Sequence, residues 1–340
     1  MNRIPIFLLL ALGFGACKKD QPTEPQTPIE FRKPAHFPEP VYDLPARNPV
    51  NPEVFALGRR LFFDPILSLD GSISCGDCHQ QAAAFAHPEH PLSHGIHDQF
   101  GTRNSPALFN LAWQPHFFWD GGVHDLDLFA ISPIENPVEM GEKLPNVLEK
   151  LRRHAEYPAV FAKAYGDTAV TTERFLKSLS QFMLLMVSDN SPYDRHLTGD
   201  AAALTDTEKA GLEIFRAKCA SCHTEPLLTD FSFRNNGFPS GIDFGRELIT
   251  LNPDDKYKFK VPSLRNVAKS APYMHNGRIA TLEAVLDHYA KNVKDGPTLD
   301  PLLRQNGSLG IPLTDDEKTK LLAFLNALTD EEFLNDERFR

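Results

Sequence analysis

Two five-residue runs hold the side chains best suited to chemistry: Cys75-Gly76-Asp77-Cys78-His79 and Cys219-Ala220-Ser221-Cys222-His223. Each reads C-x-x-C-H. Two cysteines three apart can form thioethers to the vinyl groups of a haem, and the adjacent histidine is then held under the ring as an axial iron ligand. A structural zinc site would bring its two C-x-x-C halves within about 20 residues and has no need of a histidine after each. Here the halves lie more than a hundred residues apart. The pattern predicts two covalently bound haem c groups, one on Cys75, Cys78 and His79 and one on Cys219, Cys222 and His223.

A haem protein becomes an enzyme when one iron keeps an open or displaceable sixth site beside an acid/base group. The long stretch between Gln80 and Asn136, rich in His, Phe and Gly, is a place for such a group, because long structured insertions are usually functional. His87, His90, His94 and His97 cluster there, but Pro88 and Pro91 prevent them from sharing one helical face.

The elements that must position these residues read as helices joined by long connections carrying many of the 28 Pro and 20 Gly. Pro52 to Phe63 places Val54, Leu57, Leu61 and Phe62 on one face with Pro at the first position. Thr172 to Val187 does the same with Phe175, Leu179, Phe182, Met183 and Met186. Thr205-x-x-Glu208 and Thr314-x-x-Glu317 are capping boxes. The first opens a helix running to Lys218; the second opens one with Leu321, Leu322, Phe324, Leu325 and Leu328 facing inward. The expected fold class is all-α: two cytochrome c-like haem domains with long loops, spanning 46–190 and 201–340 across a linker from Ser188 to Asp200.

Ahead of them, Arg3, the apolar run Ile4–Leu12 and Phe14-Gly15-Ala16-Cys17 read as an export signal over 1–17, too short to span a membrane. Cys17 at the cut resembles a lipoprotein signal, with the lipid on Cys17 and 18–45 as a flexible tether. This predicts an exported protein of the periplasm or cell envelope whose membrane contact is that lipid alone. Four cysteines on haems and one on lipid leave none for a disulfide. The formal net charge is −10, with no basic cluster after the signal, which argues against a nucleic-acid partner.

Several longer motifs resemble the bacterial di-haem cytochrome c peroxidases and their MauG-type relatives. They are Gly101-Thr-Arg-Asn-Ser-Pro-Ala-Leu-Phe-Asn110, Phe118-Trp-Asp-Gly121, Pro133-Ile-Glu-Asn-Pro-Val-Glu-Met140, Val261-Pro-Ser-Leu-Arg-Asn266, Ala271-Pro-Tyr-Met-His-Asn-Gly277 and Thr281-Leu-Glu283. The resemblance covers about Asn48 to Leu328. It implies a peroxidatic first haem with Glu139 as the acid/base group, and electron entry through the second haem by way of Trp119. It implies an interdomain calcium at Asn104 and the carbonyls of Ser270 and Pro272, and a resting-state iron ligand that His94 best matches. It implies hydrogen peroxide as substrate, a donor such as a small cytochrome c or cupredoxin, and a homodimer.

The family's usual Gln ten residues after the tryptophan is Phe129 here, which removes an amide from the distal side. The sixth ligand of the second haem falls on Tyr289 by register, as in MauG-type proteins; Met274 is the alternative. A helix carrying Leu282, Val285, Leu286 and Tyr289 on one face would turn His288 away. The expected activity is peroxide reduction. Its alternatives are MauG-type oxidation of a partner protein and a non-enzymatic electron carrier.

Overall fold

The computed structural model describes residues 28–340 apart from Glu89 and Asn306. The expected signal, Cys17 and the first part of the expected tether lie outside the described residues. The chain is mostly helical and builds its two main cores around two helix pairs.

The first pair crosses the Pro52–Phe63 helix with Thr172–Leu184. Asn51 caps the former, its Oδ1 accepting from the Glu53 and Val54 amides, and Thr171 caps the latter. Their apolar faces bury Leu57, Leu61, Phe62, Phe175, Leu179 and Phe182. The second helix stops at Leu184, short of the expected Val187, as the chain turns through Leu185 and Met186. The second pair crosses Asp206–Lys218 with Asp315–Asn326, both opened by the expected capping boxes. Both crossings pass over a glycine. A Cβ on Gly58 would lie 1.9 Å from the Ser178 carbonyl oxygen, and one on Gly211 would lie 2.1 Å from that of Lys320. Only a residue without a side chain admits the other backbone so closely.

The strands are two short antiparallel pairs, Phe233–Arg234 with Phe259–Lys260 and Arg304–Gln305 with Ser308–Leu309. Three expectations about the connections are corrected. The described end of the expected tether is packed: Phe37 and Tyr42 are buried, Phe37 lies edge-on to Trp113, and the Tyr42 hydroxyl donates to Asp127 at 2.8 Å. The expected linker contains the helix Pro192–Leu197, and Asp194 on it forms a buried two-pronged ion pair with Arg265 at 2.7 and 2.8 Å. Finally, the last residues return to the first half, where Phe333, Leu334 and Phe339 join its core and Phe333 packs on Phe85. Apolar side chains in a tail are buried wherever a matching surface is free, so sequence order does not bound a core.

Candidate functional site

Each C-x-x-C-H run lies against one of the two cores, Cys75 packing on the first and Cys219 on the second. Cys75–Cys78 forms one helical turn, closed by a capping box between Ser74 and Asp77. His79 follows as its cap, and its Nδ1 donates to the Phe85 carbonyl at 2.7 Å, with the Pro106 carbonyl also acting on the ring. A carbonyl can only accept, so the proton is on Nδ1 and the lone pair is on Nε2, the tautomer an iron ligand needs. Burial holds the His79 pKa down to about 4, so the ring is neutral at pH 7. His223 repeats the arrangement, donating from Nδ1 to the Leu228 carbonyl at 3.2 Å beside Pro262, with its pKa lowered by burial.

The four cysteines are free thiols. Burial pushes Cys75 and Cys219 up to about 12 and Cys78 to about 11, and raises Cys222 as well. Unbridged, paired three apart and each pair followed by a histidine, they are placed for thioether bonds to a haem. The residues present therefore fit two haem c groups.

Glu139 lies beside the first site, since its charge acts on both the Cys75 and Cys78 thiols. It is half-buried, and burial raises its pKa against the opposing hydrogen bonds from Ser93 and Asn136. The facing loop is laced onto it. Ser93 Oγ approaches Oε1 at 3.4 Å, the Ile96 amide donates to the Glu139 carbonyl at 2.8 Å, and a Cβ on Gly95 would fall 2.5 Å from the Glu139 Cα. His94 points its Nε2 to Asp98 at 2.6 Å and stacks on Phe100, while its carbonyl accepts from Cys78 Sγ at 3.6 Å. Phe129 is buried and stacked on Phe118 at 4.7 Å.

Trp119 lines a cavity of about 60 Å³ together with Pro106 from the first half and Pro262 from the second. Its Nε1 donates to the Asn104 carbonyl at 2.8 Å. The Asn104 side chain donates to the His90 and Pro91 carbonyls, at 3.3 and 3.2 Å, and its amide donates to His275. The hydrogen bonds of Ser270 run to Val267.

Tyr289 is close to the second site, with both Cys219 and Cys222 acting on it, and burial raises its pKa. The helix Leu282–Asp287 that carries it loosens into a π turn at His288–Asn292. The wider turn overturns the expectation that His288 faces away, because His288 is buried. His288 Nε2 donates to the Asn236 carbonyl at 3.1 Å, and Asn236 Nδ2 donates to the Tyr289 hydroxyl at 3.2 Å and to Met274 Sδ at 3.5 Å. Asn236 thus ties both candidate ligands together. Neither it nor Ser93 stood out in the sequence; Ser93 adjoins the His94-Gly95 pair, whereas a lone Asn in a loop carries no signal.

A mostly helical chain with two C-x-x-C-H sites, each with a buried neutral histidine, has the make-up of a c-type cytochrome with two haems. A family model described as di-haem cytochrome c peroxidase matches residues 52–202. The methylamine utilization protein MauG of Methylorubrum extorquens is 35% identical over 88% of this chain and 84% of its own. The cytochrome c551 peroxidase of Nitrosomonas europaea is 32% identical over 86% and 85%. A solved MauG-like protein associated with microbial copper homeostasis superposes with a TM-score of 0.81 at 32% identity, covering 92% of this chain and 98% of that one. The chain belongs to the di-haem cytochrome c peroxidase family.

Proposed function

We propose that this protein reduces hydrogen peroxide to water with electrons from an external donor protein. The observation that carries the reading is Glu139, a half-buried carboxyl set against the Cys75 and Cys78 thiols by a loop packed onto its backbone. When bound, the two haems supply a peroxide-binding iron in the first half and an electron store in the second. Glu139 takes a proton from the nearer peroxide oxygen and returns it to the leaving one, work suited to a carboxyl whose pKa is raised toward neutrality. Ser93 and Asn136 orient it. Trp119, in the gap, relays electrons between the halves, and Phe129 puts an apolar ring where the family usually has an amide that could hydrogen-bond a distal water or the peroxide.

The first half, 46–190, then serves as the peroxidatic unit, and 201–340 receives electrons from a small cytochrome c or cupredoxin. Tyr289 as sixth ligand at the second site would favour ferric iron. Its closeness to Cys219 and Cys222 supports a second reading, MauG-type oxidation of a partner protein's side chains. We assign His94 as a displaceable resting ligand, and Asn104, Ser270 and Pro272 to calcium. The chain is exported, held by a lipid on Cys17, and assembles as a homodimer; no helix among the described residues is long and apolar enough to cross a membrane. The test is steady-state turnover of hydrogen peroxide by the purified two-haem protein with a reduced donor, wild type against Glu139→Gln. Absence of peroxide turnover in the wild type would leave the electron-carrier reading.

A further inference from the structure

The gap between the two attachment sites contains a cation without a counter-charge. Lys260 belongs to the Phe259–Lys260 strand, and its amide donates to the Trp119 carbonyl at 2.7 Å. Its Nζ donates to Gln114 Oε1 at 2.8 Å and to the His116 carbonyl at 2.7 Å. Both acceptors are neutral. An ammonium has three protons, so one remains uncommitted. Among the described residues no carboxylate lies within ion-pair distance of Nζ. Asp120 acts on it from further away and is itself engaged by Arg103, while Arg246 donates to the Asp120 carbonyl beside it.

Lys260 lines the same cavity as Trp119, Phe118, Pro106 and Pro262. Pro106 and Pro262 are the residues whose carbonyls act on His79 and His223. The cavity therefore reaches residues beside both attachment histidines, and Lys260 lines it. Burial alone drags the Lys260 pKa down to about 7, a cost that an anion would remove. Among the described residues only Asp120 acts on it as an anion, without a direct ion pair. Each haem brings two propionate carboxylates.

We propose that Lys260 is the counter-ion of a haem carboxylate in the gap, and that its charge sets how an electron is shared between the two haems. The proposal rests on the two-haem reading. A positive charge here favours the ferrous state of the haem it faces and opposes oxidation of Trp119, so it acts on both ends of the relay.

The test compares wild type, Lys260→Gln, Lys260→Met and Lys260→Arg as purified two-haem proteins. Resonance Raman of the propionate-bending bands reads the contact, and spectroelectrochemical titration reads the electron distribution. Lys260→Gln keeps an amide that can still donate to Gln114 or His116, so a folded charge-free variant is available even if Lys260→Met fails to fold. In the charge-free variants the propionate band of at least one haem shifts. The ferrous fraction moves to the other haem on the order of tenfold, as expected for one charge about 10 Å away at an effective dielectric near 20. Lys260→Arg stays near wild type. Unchanged bands and potentials in Lys260→Gln overturn the proposal. Moved potentials with unmoved bands overturn the counter-ion assignment. A haem count below two by pyridine haemochrome overturns the underlying reading instead, so the two failures are distinguishable.

Discussion

Replacing Glu139 by Gln removes one proton carrier and leaves shape and hydrogen bonding nearly intact. Gln can still accept from Ser93, and its backbone still receives the Ile96 amide. General acid/base groups contribute about 10²–10⁴-fold. The upper part of that range is expected here, because among the described residues Glu139 is the carboxylate whose charge acts on both Cys75 and Cys78 apart from Asp77, which is held in the Ser74 capping box. A loss of about 10³–10⁴ corresponds to roughly 4–5.5 kcal/mol on the barrier. Glu139→Asp keeps the acid but retracts it by about 1.5 Å, and a displacement of that order costs about 10²-fold.

The pH profile supplies an independent sign. The group must be ionised to accept the first proton, and burial raises its pKa above the ordinary 4.5. Activity should therefore fall on the acid side at a pH above 4.5, and that limb should vanish in Glu139→Gln. Stability gives a control. A carboxyl with a raised folded pKa loses stability as pH rises through that pKa, so the Gln variant should unfold in urea no earlier than wild type at pH 7. Wild-type turnover in Glu139→Gln with two haems bound, or an unchanged acid limb, would refute the assignment.

Tyr289→Phe keeps the packing and removes the hydroxyl that meets Asn236, so a ligand role requires the low-spin ferric resonance and one reduction potential to move. If both match wild type, Tyr289 is a core residue and Met274→Leu becomes the test. Trp119→Phe should slow electron transfer between the haems in stopped-flow mixing while the haem count stays at two; an unchanged rate rejects the relay. Arg265→Met removes the charged partner of buried Asp194 and leaves it only His36 and the Ser191 donors, so the cost should approach the about 3–5 kcal/mol of a broken buried pair, measurable as a lowered urea midpoint. A midpoint within error of wild type would show that the pair does not stabilise the packing of the Pro192–Leu197 helix.

The helices and both attachment runs were legible because their signals are local. Pro52 beside an apolar face, and Thr205 with Glu208, specify a helix start from a few adjacent residues. The packed segment around Phe37 was not legible, because its partner Trp113 is distant in sequence and the Pro-rich approach reads as tether. The π turn at His288 was missed for a related reason: a 3.6-residue period continues past Leu286 on paper, whereas the chain widens where Asn236 offers a hydrogen bond to His288. Lys260 carried no signal at all. A lysine in a short strand is normally a solvated surface charge, and only the neutrality of Gln114 Oε1 and the His116 carbonyl reveals its position as unusual.

The two halves repeat one scaffold and differ in what their loops bring to it. Gly58 and Gly211 occupy corresponding helix crossings, and each approaches a backbone carbonyl too closely for any side chain. Each half then presents a neutral histidine whose Nδ1 is fixed by a carbonyl five or six residues on. From that common base the loops diverge. The first half lays Ser93 to Ile96 over Glu139, which places a half-buried carboxyl beside its thiols. The second places Asn236 between Tyr289 and Met274, which ties two candidate ligands together beside the buried His288. Divergence in loops on a shared frame is the economical way to make one iron reactive and the other a reservoir. The strand that joins Lys260 to the Trp119 carbonyl is contributed by one half and received by the other. A change in that contact should therefore alter communication between the sites without altering the chemistry at Glu139.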